Sequence, residues 1–447
     1  MEFLLVFAGQ EFENFREAEF LSLLDISRIN FNKSILESHD WNKNFLIITL
    51  ESYDDVRSLI NRSILIKCAY RVWAIGTSVE SICEKISSFP DEFTNKMNKE
   101  KLTYRLNIEA IHKKYSFEEK LKLIEMVLET HKQLPRNDLD LNNPNVELGL
   151  ILNYEYDKAK GKVTLTDPTF ICYGELACYS QRLKIMSKYK MSNRKFIGNT
   201  SMDVKLSFLM TNLGRVSSNQ LILDPFVGTG GILIAAAHNG AKVFGTDIDY
   251  KVIFGLGKST RADQIWRAEE ECLRLNFQQY NLENNYMDVF VGDSSRLDRI
   301  LQPSFQFDSI LTDPPYGIRE RGRKLMAVEN RPYMNDNTVP HFPQKESYQI
   351  SSVYDDLLSM SAKRIKIGGY LIMWIPLVRS LYEGDISLPK HSCMEMIHNC
   401  EQVLNERTSR RLLAYRKIAD TNITSDPVSS GLVNTTEYLR NCYFNSK

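Results

Sequence analysis

The chain has 447 residues, enough for two to four domains at the roughly 150 residues a domain commonly uses, which excludes a minimal binding module. Its 56 Lys and Arg balance 56 Asp and Glu, so a globally basic nucleic-acid coat and a globally acidic disordered tail are excluded, and any contact with phosphate must come from local patches. Hydrophobic residues make up 43% of the chain and no run approaches the ~18 apolar residues of a membrane span, which predicts a globular protein with no membrane contact.

Phe3 to Ala8 is apolar, but Glu2 replaces the cationic start of a signal peptide and Gln10 to Glu13 replaces a cleavage site, so a buried first strand is expected. The eight cysteines contain no Cys-x-x-Cys pair, which predicts reduced thiols, no zinc ribbon and a cytoplasmic location. After the strand Glu2 to Ala8, Asn14 to Ser27 carries Phe15, Ala18, Leu21 and Leu24 at helical spacing, and Asn44 to Leu50 is a second strand. Together they predict a small α+β module over 1–70. A second α+β module, 71–180, contains strands at Leu102 to Ile111, Val146 to Tyr154 and Thr169 to Tyr179. It also holds a helix opened by a capping box at Ser116 and Glu119 and running to about His131.

Residues 181–205 hold seven basic residues against one acid, a net +6. They read either as a solvated basic linker or as a hinge that contacts phosphate through Lys188, Lys190, Arg194 and Lys195. From 206 to 447 the pattern is strand, turn, helix, repeated. Leu221 to Asp224, Lys242 to Asp247, Met287 to Val291, Phe307 to Thr312 and Gly369 to Ile375 predict a doubly wound, mostly parallel α/β sheet. Met394 to Val403 and Arg410 to Lys417 lack room for a crossover helix between them and predict an antiparallel edge hairpin.

The chemistry gathers at the ends of these strands. Asp224-Pro225-Phe226-Val227-Gly228-Thr229-Gly230-Gly231 follows the first strand and opens a helix, so Gly228 and Gly230 permit close approach of a ligand to a helix N-terminus. Leu233 stands where a dinucleotide fingerprint needs its third glycine, which argues against NAD. Asp247 ends the second strand, where its carboxylate can accept ribose hydroxyls, and Asp293 ends the third, placed to reach an adenine ring. Thr312-Asp313-Pro314-Pro315-Tyr316-Gly317 ends the fourth. The exocyclic amine of a nucleobase is a poor nucleophile because its lone pair is delocalised. Asp313 and the Pro314 carbonyl, fixed by flanking prolines, can accept its two N–H bonds and aim the lone pair, while Tyr316 can stack on the base.

These residues resemble class I (Rossmann-like) S-adenosylmethionine-dependent amino-methyltransferases. More closely, Phe196 to Asp203, the insert Gly255 to Arg267, Asp313 to Glu320 and Arg407 to Leu412 resemble the eukaryotic catalytic subunit of tRNA guanosine-10 N2-methyltransferase. The resemblance implies a ferredoxin-like module over 1–70, a THUMP module over 71–180 that holds tRNA, and a catalytic domain over 206–447. It also implies a small zinc-binding activator as heterodimer partner, and closure of the stretch around Thr200 over the methionine part of S-adenosylmethionine. N6-adenine methylation of RNA or DNA, and a catalytically silent RNA-binding adaptor on the same scaffold, are the competing readings.

Other patterns are weaker. Gly255 to Thr260 imitates the end of a P-loop, but Val252 occupies the place of the first glycine. The insert through Arg267 reads as a cover over cofactor or RNA, or as a packed loop. His391, Cys393, His398 and Cys400 fall on opposite faces of a predicted strand, so no metal site is expected. Arg319 and Arg321 follow the catalytic loop directly and are candidates for RNA phosphate contact.

Overall fold

The computed structural model describes residues 1–9, 11–87, 97, 99–130, 134, 138–261, 264–268, 270–317, 322–326 and 345–421. They form two compact units, one of residues 1–13 and 27–183, the other of 14–26 and 184–447.

The first unit is built on one sheet. Strands β1 (Glu2–Phe7), β2 (Phe45–Thr49), β3 (Ile66–Gly76), β4 (Tyr104–Ile111), β5 (Val146–Asn153) and β6 (Phe170–Tyr179) lie in the order β2-β1-β3-β6-β5-β4. Only β4 and β5 pair in parallel. β3 crosses the boundary expected at residue 70 and pairs with β1 on one side and β6 on the other. The separate modules expected at 1–70 and 71–180 therefore share a continuous hydrogen-bond ladder.

Helix α1 (Arg16–Ser27), expected in the N-terminal module, belongs to the second unit. Phe15, just before it, lies 6.0 Å from the Trp374 ring, the Asn212 amide donates to Glu19 at 2.8 Å, and Arg215 pairs with Asp25 at 3.0 Å. The helical spacing was sufficient to find the helix but carried no information about which sheet its apolar face meets. In the first unit, α2 (Tyr53–Ile60), α3 (Val79–Ser87) and α4 (Phe117–Thr130) cover the sheet, with Ile82, Ile86 and Val127 packed on Leu106, Leu148, Leu150 and Tyr173. The capping box before α4 is present: Ser116 N–H donates to Glu119 at 2.7 Å, and Glu119 N–H to Ser116 Oγ at 3.2 Å.

The second unit holds β7 (Leu221–Asp224), β8 (Lys242–Asp247), β9 (Tyr286–Val291), β10 (Phe307–Thr312), β11 (Ile365–Val378), β12 (Met394–Val403) and β13 (Thr408–Lys417), in the order β9-β8-β7-β10-β11-β13-β12. β7 to β11 are parallel, and β13 runs antiparallel between β11 and β12, as the predicted hairpin requires. His391 and Cys393 precede β12 in a turn rather than lying on the strand. α5 (Arg182–Lys188), α6 (Val204–Leu213), α7 (Gly231–His238), α8 (Leu273–Gln279) and α9 (Ile350–Arg364) complete the described longer helices of this part. Ile232 to Ala237 of α7 are all buried, so this helix is enclosed on every side. On the other side, Tyr354, Leu357 and Leu358 of α9 meet Ile310, Met373, Ile375 and Leu413. The strand order reverses between β7 and β10, and an open α/β sheet binds its ligands at the strand C-termini beside that switch.

Candidate methyl-transfer site

At the end of β7, the left-handed turn after Asp224 explains its glycines. Gly228 has φ +48° and Gly230 φ +77°, a region in which side chains with a Cβ are strained. A Cβ at Gly230 would meet Leu273 at 2.9 Å, so this glycine lets α8 pack against the loop. A Cβ at Gly228 would have no neighbour within 4 Å, so this glycine keeps open a cradle beside Asp247. Asp247 accepts from Gly228 N–H at 3.0 Å and from Asp249 N–H at 2.9 Å, which fixes its carboxylate against the loop. Pro225 is buried, its carbonyl accepting from Thr246 at 3.1 Å, and Phe226 packs on the core with its N–H donated to Asp224 at 3.1 Å.

Asp224 is only 1% exposed and is joined to the end of β10 by the Thr312 hydroxyl, which donates to it at 2.7 Å. Burial raises its carboxyl to about 7, against the lowering effect of the Thr312 and Phe226 donors, and Asp313 and Asp247 push it the same way as burial. Asp293 is also buried, but Ser295 N–H and Oγ occupy one oxygen at 3.0 and 2.7 Å, and Leu325 N–H occupies the other at 2.8 Å. It therefore anchors the short strand Arg323–Leu325 as well as standing at its strand tip.

The loop after β10 places Asp313, Pro314, Pro315 and Tyr316 together, with Pro314 buried and the others partly exposed. The Tyr316 hydroxyl donates to Asp313 Oδ1 at 2.5 Å and accepts from Arg410 Nη1 at 3.1 Å. The same nitrogen lies 3.7 Å from Asp313 Oδ2. Arg410 is stacked over Trp374 at 4.2 Å and donates to Gln402 at 2.7 Å. Burial and the Asp313 charge hold the Tyr316 phenol well above its ordinary range, so it remains a donor.

The basic stretch, expected as a solvated linker or a phosphate-contacting hinge, contains the helix α5 and divides its charges between exposed lysines and a buried arginine. Lys184 and the residues after it belong to the second unit, and Arg194 is 1% exposed. Its guanidinium lies against Gly231 at the start of α7, with Nη1 3.4 Å from a Cβ built there, so Arg194 does not present a charge to RNA phosphate; burial lowers its pKa. Lys188, Lys190 and Lys195 are exposed. Arg319 and Arg321 lie outside the described residues. Thr200 is exposed, whereas its neighbour Ser201 bonds Thr229 of the glycine loop at 2.7 Å. Thr260, Arg261 and Arg267 of the insert contact this segment. Arg261 donates to the Arg194 and Lys195 carbonyls, and Arg267 sits 4.5 Å over Phe196 while pairing with Glu271 at 3.4 Å.

Thr312, Ser201, Thr229 and Arg410 lie inside the motifs read from the sequence without a role of their own, and Trp374 lies inside a predicted strand; nothing in the spacing joins Arg410 to Tyr316, 94 residues away. In the first unit, a cleft of about 510 Å³ is lined by Lys67, Tyr70, Lys113, Lys114, Tyr115 and Tyr179, among others. The Lys113 ammonium lies 5.2 Å from the Tyr115 ring and 4.6 Å from the Tyr154 ring.

The strand order and the glycine loop facing an acid-tipped second strand define the second unit as a class I methyltransferase domain. Residues 1–182 match the family described as the Tmrp11 THUMP N-terminal domain, and residues 192–327 match the RMKL-like methyltransferase domain. The chain is 37% identical to tRNA (guanine(10)-N(2))-methyltransferase TRMT11 of Homo sapiens over 424 residues, covering 93% of this chain and 88% of the relative. It is 33% identical to that of Dictyostelium discoideum over 440 residues, covering 92% and 82%. The solved structure of TrmN from Thermus thermophilus aligns over 94% of this chain and all of its own, with 15% identity and a TM-score of 0.45. The chain belongs to the TRMT11 tRNA (guanine(10)-N(2))-methyltransferase family.

Proposed function

We propose that this chain is the catalytic subunit of a tRNA methyltransferase that moves the methyl of S-adenosylmethionine to the N2 amine of guanosine 10. The observation that carries the reading is the pairing of the Gly228 cradle and Asp247 with the Asp313-Pro314 acceptor pair on strands linked through Thr312 and Asp224. The cofactor supplies an electrophilic sulfonium methyl. Asp224, Pro225, Phe226, Gly228 and Gly230 would shape its cradle, Asp247 would accept from its ribose, and Asp293 and Thr200 would flank it. Asp313 and the Pro314 carbonyl accept the two N–H bonds of the guanine amine, and Pro315 stiffens the loop. Tyr316 covers the base. When bound, the cofactor would supply the methyl and leave as S-adenosylhomocysteine, its S–C electron pair staying on sulfur as the amine lone pair forms the N–C bond, and the extra proton on nitrogen would pass to solvent. The site has to supply placement more than a strong base.

RNA contact is assigned to exposed Lys188, Lys190 and Lys195 and to the lysine- and tyrosine-lined cleft of the first unit, where charge and aromatic faces occur together. Arg319 and Arg321 remain candidates by sequence. The small zinc-binding activator is proposed as heterodimer partner. The sheet edge at β9, with Met287 and Val291 exposed, supports a partner that covers or extends it. A cytoplasmic location is part of the same proposal and is checked by imaging the tagged chain. The deciding experiment incubates the chain, with and without the activator, with labelled cofactor and unmodified tRNA and digests the product to nucleosides. N2-methylguanosine is expected. N6-methyladenosine as sole product, or no transfer by the complete heterodimer, would overturn the reading.

A further inference from the structure

Arg410 reaches the catalytic loop from β13, whose register sets it opposite Pro376 on β11 and Gln402 on β12. Three neighbours fix its side chain. The guanidinium lies 4.2 Å over the buried Trp374 ring, Nε donates to Gln402 at 2.7 Å, and Nη1 donates to the Tyr316 hydroxyl at 3.1 Å. With Asp313 Oδ2 at 3.7 Å, the same group adds a positive charge beside the carboxylate.

The arrangement divides the two oxygens of Asp313. Tyr316 donates to Oδ1, and Oδ2 lies on the Arg410 side. A carboxylate serves the incoming amine only as an acceptor, and its protonated form would present a donor to a donor. A nearby guanidinium favours the ionised, acceptor-only form, and its planar fork sets direction in a way a lysine ammonium does not. Because the Tyr316 hydroxyl accepts from Arg410 while donating to Asp313, its orientation depends on the arginine.

We propose that Arg410 is a positioning residue for methyl transfer, holding the Tyr316 hydroxyl and the Asp313 carboxylate in the geometry that receives the target amine. This rests on the role given above to Asp313. The Arg410 contacts run to Trp374, Gln402, Tyr316 and Asp313, so its loss is expected to act on the chemical step more than on either binding step.

The test uses the active full-length enzyme with its partner and follows whichever methylated nucleoside the wild type makes, so an unexpected base would defeat the functional reading while the Arg410 comparison is still measured. Arg410→Met is expected to lower kcat about 10- to 100-fold, with KM for tRNA and the Kd of S-adenosylhomocysteine each within about twofold of wild type. Arg410→Lys should recover part of kcat, because the charge stays while the fork is lost. Tyr316→Phe combined with Arg410→Met should be no slower than the slower single variant by more than about twofold, because the two residues act as one unit. Where Arg410→Met fails to fold, Arg410→Lys decides alone: a lower kcat at unchanged KM supports the proposal. A wild-type kcat in either variant, a change in KM alone, or additive losses in the double variant would overturn it.

Discussion

Asp224→Asn replaces a buried titrating group with a neutral one of nearly the same shape at the junction of the glycine loop and the Asp313–Tyr316 loop. Asp224 is 1% exposed, and burial raises its carboxyl from 3.8 to about 7. A rise of that size corresponds to roughly 4 kcal/mol between the two protonation states. The direction follows from which state keeps the proton. Below about 4 both the folded and unfolded carboxyls are protonated and nothing is lost. From there to about 7 the unfolded chain has released a proton that the folded chain still holds, so raising the pH favours unfolding, and the loss levels off above the folded value. Between pH 5 and 8.5 the wild type should therefore lose about 3 kcal/mol relative to Asp224→Asn, which has no such titration. Urea unfolding of both proteins at the two pH values isolates this double difference, since acids not coupled to Asp224 cancel. The variant can be more or less stable in absolute terms, because its amide must share the Thr312 and Phe226 donors that now meet a carboxylate. A stability difference that stays constant within about 0.5 kcal/mol across that pH range would refute the reasoning, because an Asp224 that titrated normally would show no such change.

Asp313→Asn keeps the shape of the acceptor but removes its charge and offers a donor to the amine. Methyl transfer should fall at least about 100-fold in a single-turnover assay, while S-adenosylhomocysteine affinity by calorimetry changes less than about threefold. Gly228→Ala places a methyl in the open cradle at a positive φ and should weaken cofactor binding more than about tenfold for about 1 kcal/mol of stability, read from calorimetry and urea unfolding together. Ser116→Ala removes the Oγ acceptor for Glu119 N–H at the start of α4, and should cost about 1 kcal/mol of first-unit stability in urea unfolding with no effect on cofactor affinity.

The site's main chain was readable because each of its parts is local. The parallel strands ending at Asp224, Asp247 and Thr312 fall where the apolar runs predict, and Gly228, Gly230 and Asp313 sit in the turns those strands end in. Turn chemistry is set by φ preference and strand length, which a sequence carries directly. The antiparallel hairpin of β12 and β13 was readable for a similar reason, since a short connection leaves no room for a crossover.

Other features depended on packing partners distant in sequence. Arg194 shares the composition of Lys188, Lys190 and Lys195, yet it is buried against α7 while the lysines remain exposed. A net charge over 25 residues averages these opposite situations. Periodicity likewise identified α1, but the ring of Trp374 and the side chains of Asn212 and Arg215 decided that it joins the catalytic unit.

Sequence alone determined the types of element, the residues at the strand tips and the nucleobase-amine chemistry they suit, because those depend on short-range backbone geometry and residue type. The tertiary structure decided that one sheet joins strands β1 to β6, from Glu2 to Tyr179, that Asp293 is tied to Leu325, and that Arg410 meets Tyr316. These contacts depend on strand order and register, which no local pattern in the chain records, and on burial, which is a property of the assembled core.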